Sequence, residues 1–205
     1  MISVIDYGAG NLRSVVKALE HTGVKVSVIN DANSVLKTDR IVLPGVGAYG
    51  ACIKGLTAID GMVEALDEAI NIKGTPFLGI CVGMQLLSTT GEEFGSHKGL
   101  NFIDGTVRTF ELDKPNLKIP HMGWNTIDVK HNHPVCEGLN GQDVYFVHSY
   151  VFDTKEDAHS LATCTYGETF NAVVGRDNII ATQFHPEKSQ TVGLNLINNF
   201  VKWKP

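Results

Sequence analysis

The sequence predicts an open α/β fold, a mostly parallel sheet flanked by helices on both faces, with a smaller antiparallel annex. Three observations predict it. Short β-rich runs alternate with helical patterns through the first half, the order that leads to parallel pairing. The second half changes to a succession of short strands separated by turns. No linker, repeat or low-complexity stretch interrupts the 205 residues, so residues 1–205 read as one domain, long enough to bury a two-sided core.

Taken in order, "ISVI" (2–5) is the first strand. "NLRSVVKALEHTG" follows, with Leu12, Val15, Val16 and Leu19 on one helical face and Gly23 as its stop. "VKVSVI" (24–29) and "RIVLP" (40–44) are the next strands, and a helical stretch over about 48–72 leads to "PFLGI" (76–80). A helix is expected from about Val82. Later strands are expected around 101–110, 124–129, 143–152, 160–165, 171–175 and 179–184, "GRDN" (175–178) being the clearest hairpin signal. "SQTVGLNLINNFVKW" (189–203) closes the chain as a helix.

Composition narrows the function. A formal charge of −5 and the lack of a basic stripe argue against nucleic acid. No apolar run approaches the roughly 20 residues that span a bilayer, so no membrane partner is expected. The opening "MISVIDYGAGN" has no basic region followed by an apolar stretch, which predicts no signal peptide. Cys52, Cys81, Cys136 and Cys164 lie far apart with no paired spacing. A reduced, cytoplasmic chain follows.

Within "FLGICVGMQLLS" (77–88), a buried strand turns into a helix, and Cys81 stands at the joint, two residues from Gly79 and Gly83. Such an elbow pushes its central residue out at the carboxyl end of the sheet, the glycines admitting neighbouring backbone. A following helix would aim N–H groups and its positive dipole end at the sulfur, raising the thiolate fraction and offering an oxyanion site. An unpaired cysteine is more often a small buried hydrophobe, and Cys81 alone does not decide. A base is available in "IIATQFHPEKS", where His185 and Glu187 are two apart. Pro186 biases His185 toward extended backbone, in which such residues point the same way. Glu187 could then accept the Nδ1 proton of His185 and leave Nε2 for sulfur. An exposed turn is the plain alternative for the tripeptide, but elbow and tripeptide together make a stronger signal.

Other features compete poorly. "HNHP" (131–134) resembles half a metal site that no cysteine or carboxylate pattern completes, so no metal is expected. His148, in "VYFVHSY", reads as hydrogen-bonded structure, and His121 as part of a turn. His21, His97 and His159 read as surface positions. "YGAGN" invites a dinucleotide reading, but Arg13 stands where the third glycine of G-x-G-x-x-G belongs, so no cofactor is expected.

"GICVGMQLL" with "QFHPEKS" resembles the class I glutamine amidotransferases, whose triad is Cys-His-Glu. "DYGAGNLRSV", "PGVGAYG" (44–50), "PHMGWN" (120–125), "YFVHSY" (145–150) and "FHPEKSQ" (184–190) narrow the resemblance to the glutaminase subunits of imidazole glycerol phosphate synthases. The resemblance implies Cys81 as nucleophile on glutamine, His185 as general base and acid, and Glu187 as its orienter. It implies substrate contacts from Gln85, Ser149, Tyr150 and Glu93, with Glu92 a competitor for the last. Val46, Gly47 and Val82 would form the oxyanion hole. The wider class more often reads Pro-Gly-Gly where this chain reads "PGVG". β-Branched Val46 resists positive φ, so the hole is expected not to be preformed, the 46–47 peptide turning when a partner and its ligand arrive. Gly45 and Gly47 could instead serve close backbone packing alone.

Nothing in the sequence suggests a second active site for an ammonia acceptor, and ammonia freed into water would be mostly protonated. The resemblance therefore implies a heterodimer whose other half is a (β/α)8-barrel cyclase subunit. The cyclase joins ammonia to a phosphoribulosyl-formimino carboxamide nucleotide, giving imidazole glycerol phosphate and aminoimidazole carboxamide ribotide in histidine biosynthesis. Asn11, Trp124, Tyr145 and Lys188 would face it, Trp124 serving as an anchor or as ordinary core. Two other readings stand beside this one: an amidotransferase serving another acceptor, and a catalytically silent interaction subunit.

Overall fold

A computed structural model describes residues 1–112 and 117–205. The chain opens as β1 (Ile2–Ile5), α1 (Leu12–Glu20), β2 (Val26–Ile29), α2 (Ala32–Val35), β3 (Arg40–Gly45), α3 (Tyr49–Thr57), α4 (Met62–Asp67), β4 (Phe77–Cys81) and α5 (Val82–Gln85). Then come β5 (Thr90–Gly91), β6 (His97–Lys98), β7 (Gly105–Thr109), β8 (His121–Thr126), β9 (Asp128–Val129), β10 (Asp143–His148) and β11 (Tyr150–Thr154). β12 (Ser160–Tyr166), β13 (Glu168–Arg176), β14 (Ile179–Thr182) and α6 (Gln190–Lys202) complete it.

Eight strands form the main sheet in the order β2-β1-β3-β4-β14-β13-β12-β9. The pairs from β2 through β14 are parallel, and those from β14 outward are antiparallel. β4 and β14 lie at its centre with every residue buried, as continuous apolar strands covered on both faces require. Strand order reverses direction at β1, so right-handed crossovers put α1 on one face and α2, α3 and α4 on the other. Packing of α1 beside α6, and of α4 beside α2 and α3, agrees.

The expected annex is divided. The "GRDN" hairpin, pairing Arg176 with Ile179, ties β13 to β14 and so draws β12 and β9 into the main sheet. What stands apart is a two-stranded sheet, β10-β8, and a four-stranded one, β11-β7-β5-β6. Arg108 of β7 fastens the second to the main sheet through Glu168 of β13 at 2.7 Å, while Asp153 of neighbouring β11 meets its guanidinium at 2.6 Å.

Three helical expectations change in detail. The 48–72 stretch breaks after Thr57, restarts beyond Gly61 at φ 67°, and widens over Glu68–Ile72 into a π-type turn. α6 begins one residue late and stops at Lys202. The helix after Cys81 is a single turn, because the Leu87 and Ser88 amides bond back three residues, to Met84 and Gln85.

Candidate active site

β3, β4 and β14 run side by side, pairing Gly45 with Cys81 and Ile80 with Thr182. Their carboxyl ends deliver the 45–47 loop, Cys81 and the segment leading to His185 to one sheet edge, where open α/β sheets form their clefts.

Cys81 ends β4 at φ 55°, ψ −113°, an angle a side chain tolerates poorly. The glycines beside it explain how the chain holds it there. A Cβ on Gly83 would strike the Leu43 carbonyl, and one on Gly79 would come within 2.7 Å of the Gly83 oxygen. The elbow therefore lies directly on β3. In the neighbouring loop the positive φ falls on Gly47, at 103°, while Val46 stays outside that region. The Val46 carbonyl accepts the Cys52 thiol proton at 3.5 Å, which fastens the 46–47 peptide from beneath.

His185 Nδ1 and Glu187 Oε1 are 2.9 Å apart, with side-chain exposures of 2% and 1%. His185 is extended, at φ −96° and ψ 98°, as its place before proline predicts. Glu187, however, lies in a 3-10 turn over Pro186–Lys188, so a turn and not an extended strand brings the carboxylate to the imidazole. Burial pushes the His185 pKa down, but the Cys81 sulfur and the Glu187 carboxylate, as acceptors and as negative charges, outweigh it and hold it at about 9. Nε2 has no partner at full hydrogen-bond geometry among the described residues, so its contact with the sulfur is a loose one. The upward direction favours imidazolium at neutral pH. Backbone fixes the ring's place: the His185 amide donates to the Tyr145 carbonyl at 3.0 Å. The Tyr145 amide donates to Ser189 Oγ at 3.0 Å, and that hydroxyl donates to the His185 carbonyl at 2.7 Å.

A cavity of about 420 Å3 opens over the sulfur. Cys81, His185, Gln85, Ser149 and Tyr150 line it, as do Val46, Gly47 and Val82. Glu93 lines it as well, its carboxylate accepting the Tyr49 amide at 2.5 Å at the start of α3. Glu92 is exposed and does not line it, which separates the two candidates. Glu187 sits behind His185, and Lys188 reaches the cavity mouth. Lys188 Nζ also lies 5.9 Å from the Tyr145 ring centroid, and Tyr145 packs edge-on against Trp124 at 6.0 Å. Trp124 is 48% exposed on β8, beside exposed Met122, so it is not core. Asn11 is not gathered with these three. It stands directly before α1, in the loop that follows β1, and its side chain makes no cap bond.

Two residues given no role by their spacing enter the site. His148 lines the cavity and is buried, which lowers its pKa to about 3. Its Nδ1 faces the Tyr150 carbonyl at 2.9 Å, and its Nε2 faces His121 Nδ1 at 3.0 Å. His121 is thus a buried strand residue and not part of a turn. Gln183, fully buried, places its side-chain nitrogen 3.8 Å from Cys81 Sγ. Its position two before His185 is the available signal, since such residues share a side in extended chain. Among the described residues no group of three His, Cys, Asp or Glu is placed to hold a metal ion, and no helix is long and apolar enough to cross a membrane.

The model of the family described as glutamine amidotransferase class-I matches residues 3–203. The "Imidazole glycerol phosphate synthase subunit HisH" of Rhodospirillum rubrum is 51% identical, covering 100% of this chain and 99% of its own length. The protein of the same name in Rhodopseudomonas palustris is 50% identical over the same shares. Among solved structures, PurLQS from Thermotoga maritima aligns with a TM-score of 0.75 at 18% identity, covering 98% of this chain and 97% of that one. The glutaminase domain of Trypanosoma brucei CTPS aligns at 0.65 and 16%, covering 100% and 94%; both likenesses concern the fold. With a family model running almost end to end and relatives sharing half its residues, the chain belongs to the class-I glutamine amidotransferase family.

Proposed function

We propose that the chain hydrolyses glutamine to glutamate and ammonia in the cytoplasm and hands the ammonia to a (β/α)8-barrel cyclase subunit of an imidazole glycerol phosphate synthase. The carrying observation is Cys81 on its strained elbow, opening into the same cavity as an imidazole raised to a pKa of about 9 and backed by Glu187. The full-length identity to HisH subunits supports the choice of acceptor. Four free, buried cysteines suit a reducing compartment.

In this reading the Cys81 thiolate attacks the side-chain carbonyl carbon of glutamine, and the Val82 N–H with the 46–47 loop receives the oxyanion. Imidazolium at His185 then gives its proton to the departing nitrogen, releasing ammonia and leaving a glutamyl thioester. Neutral His185 next takes a proton from water as the hydroxide attacks. Collapse expels the thiolate, and glutamate leaves with the imidazolium restored. Glu187 holds the ring throughout. Gln85 and Glu93, with Ser149 and Tyr150 opposite, place the substrate's polar ends. Trp124, Tyr145 and Lys188 form the face offered to the cyclase, with Asn11 further along the same edge.

The test is glutamine turnover by the chain alone, then with the cyclase, then with its nucleotide substrate added. A large nucleotide-dependent increase is expected, abolished by Cys81→Ala. Turnover indifferent to the cyclase would point to another acceptor, and none under any condition to a silent subunit.

A further inference from the structure

We infer that Gln183 is a further catalytic residue, its side-chain amide donating to the Cys81 sulfur, held in that sense by a hydrogen-bond chain that starts at the Tyr150 carbonyl. The inference rests on the reading of Cys81 as nucleophile.

The chain's direction follows from what each atom can do. A backbone carbonyl only accepts. The Tyr150 oxygen lies 3.3 Å from the Gln85 side-chain nitrogen, so that end of the Gln85 amide must be its NH2. The same nitrogen lies 3.0 Å from the oxygen of the Gln183 amide. Gln183 therefore accepts from Gln85 with its oxygen and can only present its own NH2 to the sulfur, 3.8 Å away. Both glutamines are buried, at 3% and 0% exposure, so neither amide turns freely into solvent. Among the described residues the Gln183 nitrogen meets no other acceptor than that sulfur.

A buried donor with one available acceptor favours whichever state of that acceptor takes the bond better, and a thiolate accepts better than a thiol. The helix after Cys81 is one turn long, so its dipole gives the sulfur little help. Gln183 supplies a donor to the sulfur in addition to the charge that His185 supplies. It reaches the sulfur from the end of β14, the strand adjacent to β4.

The experiment is the rate of Cys81 alkylation by iodoacetamide against pH, read by mass spectrometry of the Cys81 peptide, which requires no turnover. Gln183→Met removes the donor and adds no charge. It should slow alkylation near neutral pH about tenfold or more and move the curve to higher pH. Gln85→Met leaves residue 183 untouched and adds no charge but removes the donor that orients it, so the Gln183 amide is free to turn over and the curve should move the same way. Gln85→Met decides the matter should Gln183→Met fail to fold. The other titratable groups around the sulfur, His185, Glu93, Tyr7, Cys52, His148 and Lys188, are common to all three proteins. Folded variants that alkylate on the wild-type curve would overturn the inference. Wild-type protein that frees no ammonia while the variants' curves still move would refute the glutaminase reading and leave the Gln183–sulfur link standing.

Discussion

Cys81 sits at φ 55°, and a non-glycine residue in such a conformation costs about 1–3 kcal/mol. The rest of the elbow holds it there, so the strain should be recoverable. Cys81→Gly is expected to abolish ammonia release yet raise the unfolding free energy by up to about 1 kcal/mol, while Cys81→Ala abolishes release with no such gain. Urea denaturation of the pair measures the difference. His185 gives a second residue-scale prediction. Its pKa of about 9 lies above the ordinary 6.5, so the folded state binds that proton more tightly than the unfolded chain does. The contribution to stability is complete below about pH 6.5 and lost as pH climbs through about 9. Wild-type protein should lose stability between about pH 7 and pH 10 more steeply than His185→Gln. Turnover should decline over the same alkaline limb as the general acid disappears. Val46 gives a third. Replacing it with glycine frees the 46–47 peptide to turn, and partner-free glutamine hydrolysis should rise; an unchanged rate would discard the idea of a hole that is not preformed.

At the scale of elements, the elbow itself was legible because glycines two either side of a cysteine, between an apolar strand and an apolar helix pattern, have few other uses. The length of α5 was not. Met84, Leu86 and Leu87 continue a helical apolar pattern, and all are buried, but the amide bonds shorten after one turn so that the chain can reach β5. The two-residue strands β5 and β6 are too short to show any period. His185 and Glu187 were legible as a pair, though the backbone joining them is a 3-10 turn that the tripeptide does not announce. For Gln183 only its spacing from His185 was a signal, and His148 had none, because their surroundings come from distant elements, Gln85 and Tyr150 for the one and His121 for the other. Close packing of α5 on β3 yields the prediction at this scale. Gly83→Ala pushes a methyl group into the Leu43 carbonyl and should destabilise the protein by about 3 kcal/mol, measured by urea unfolding.

Across the whole molecule, parallel pairing was readable from alternation, whereas the order of the strands and the placing of β14 beside β4 were not. A hairpin signal says that two strands pair, but not that one of them also inserts beside β4. That insertion carries His185 to Cys81 across more than half the chain. The exposed Trp124–Tyr145–Lys188 group gives the prediction that belongs to assembly. Trp124→Ala should leave stability unchanged and weaken cyclase binding by about 2 kcal/mol or more, measurable by calorimetry.

The Tyr145 backbone has one further consequence. Its ring is half-buried beside exposed Trp124, while its carbonyl and amide clasp the His185–Ser189 turn through two bonds of 3.0 Å, closed by a third from Ser189 Oγ to the His185 carbonyl. If a partner seats on that ring, its position is tied to the imidazole's own peptide by backbone bonds that do not pass through the cavity. Deuterium uptake at the His185 amide should slow when the cyclase is seated.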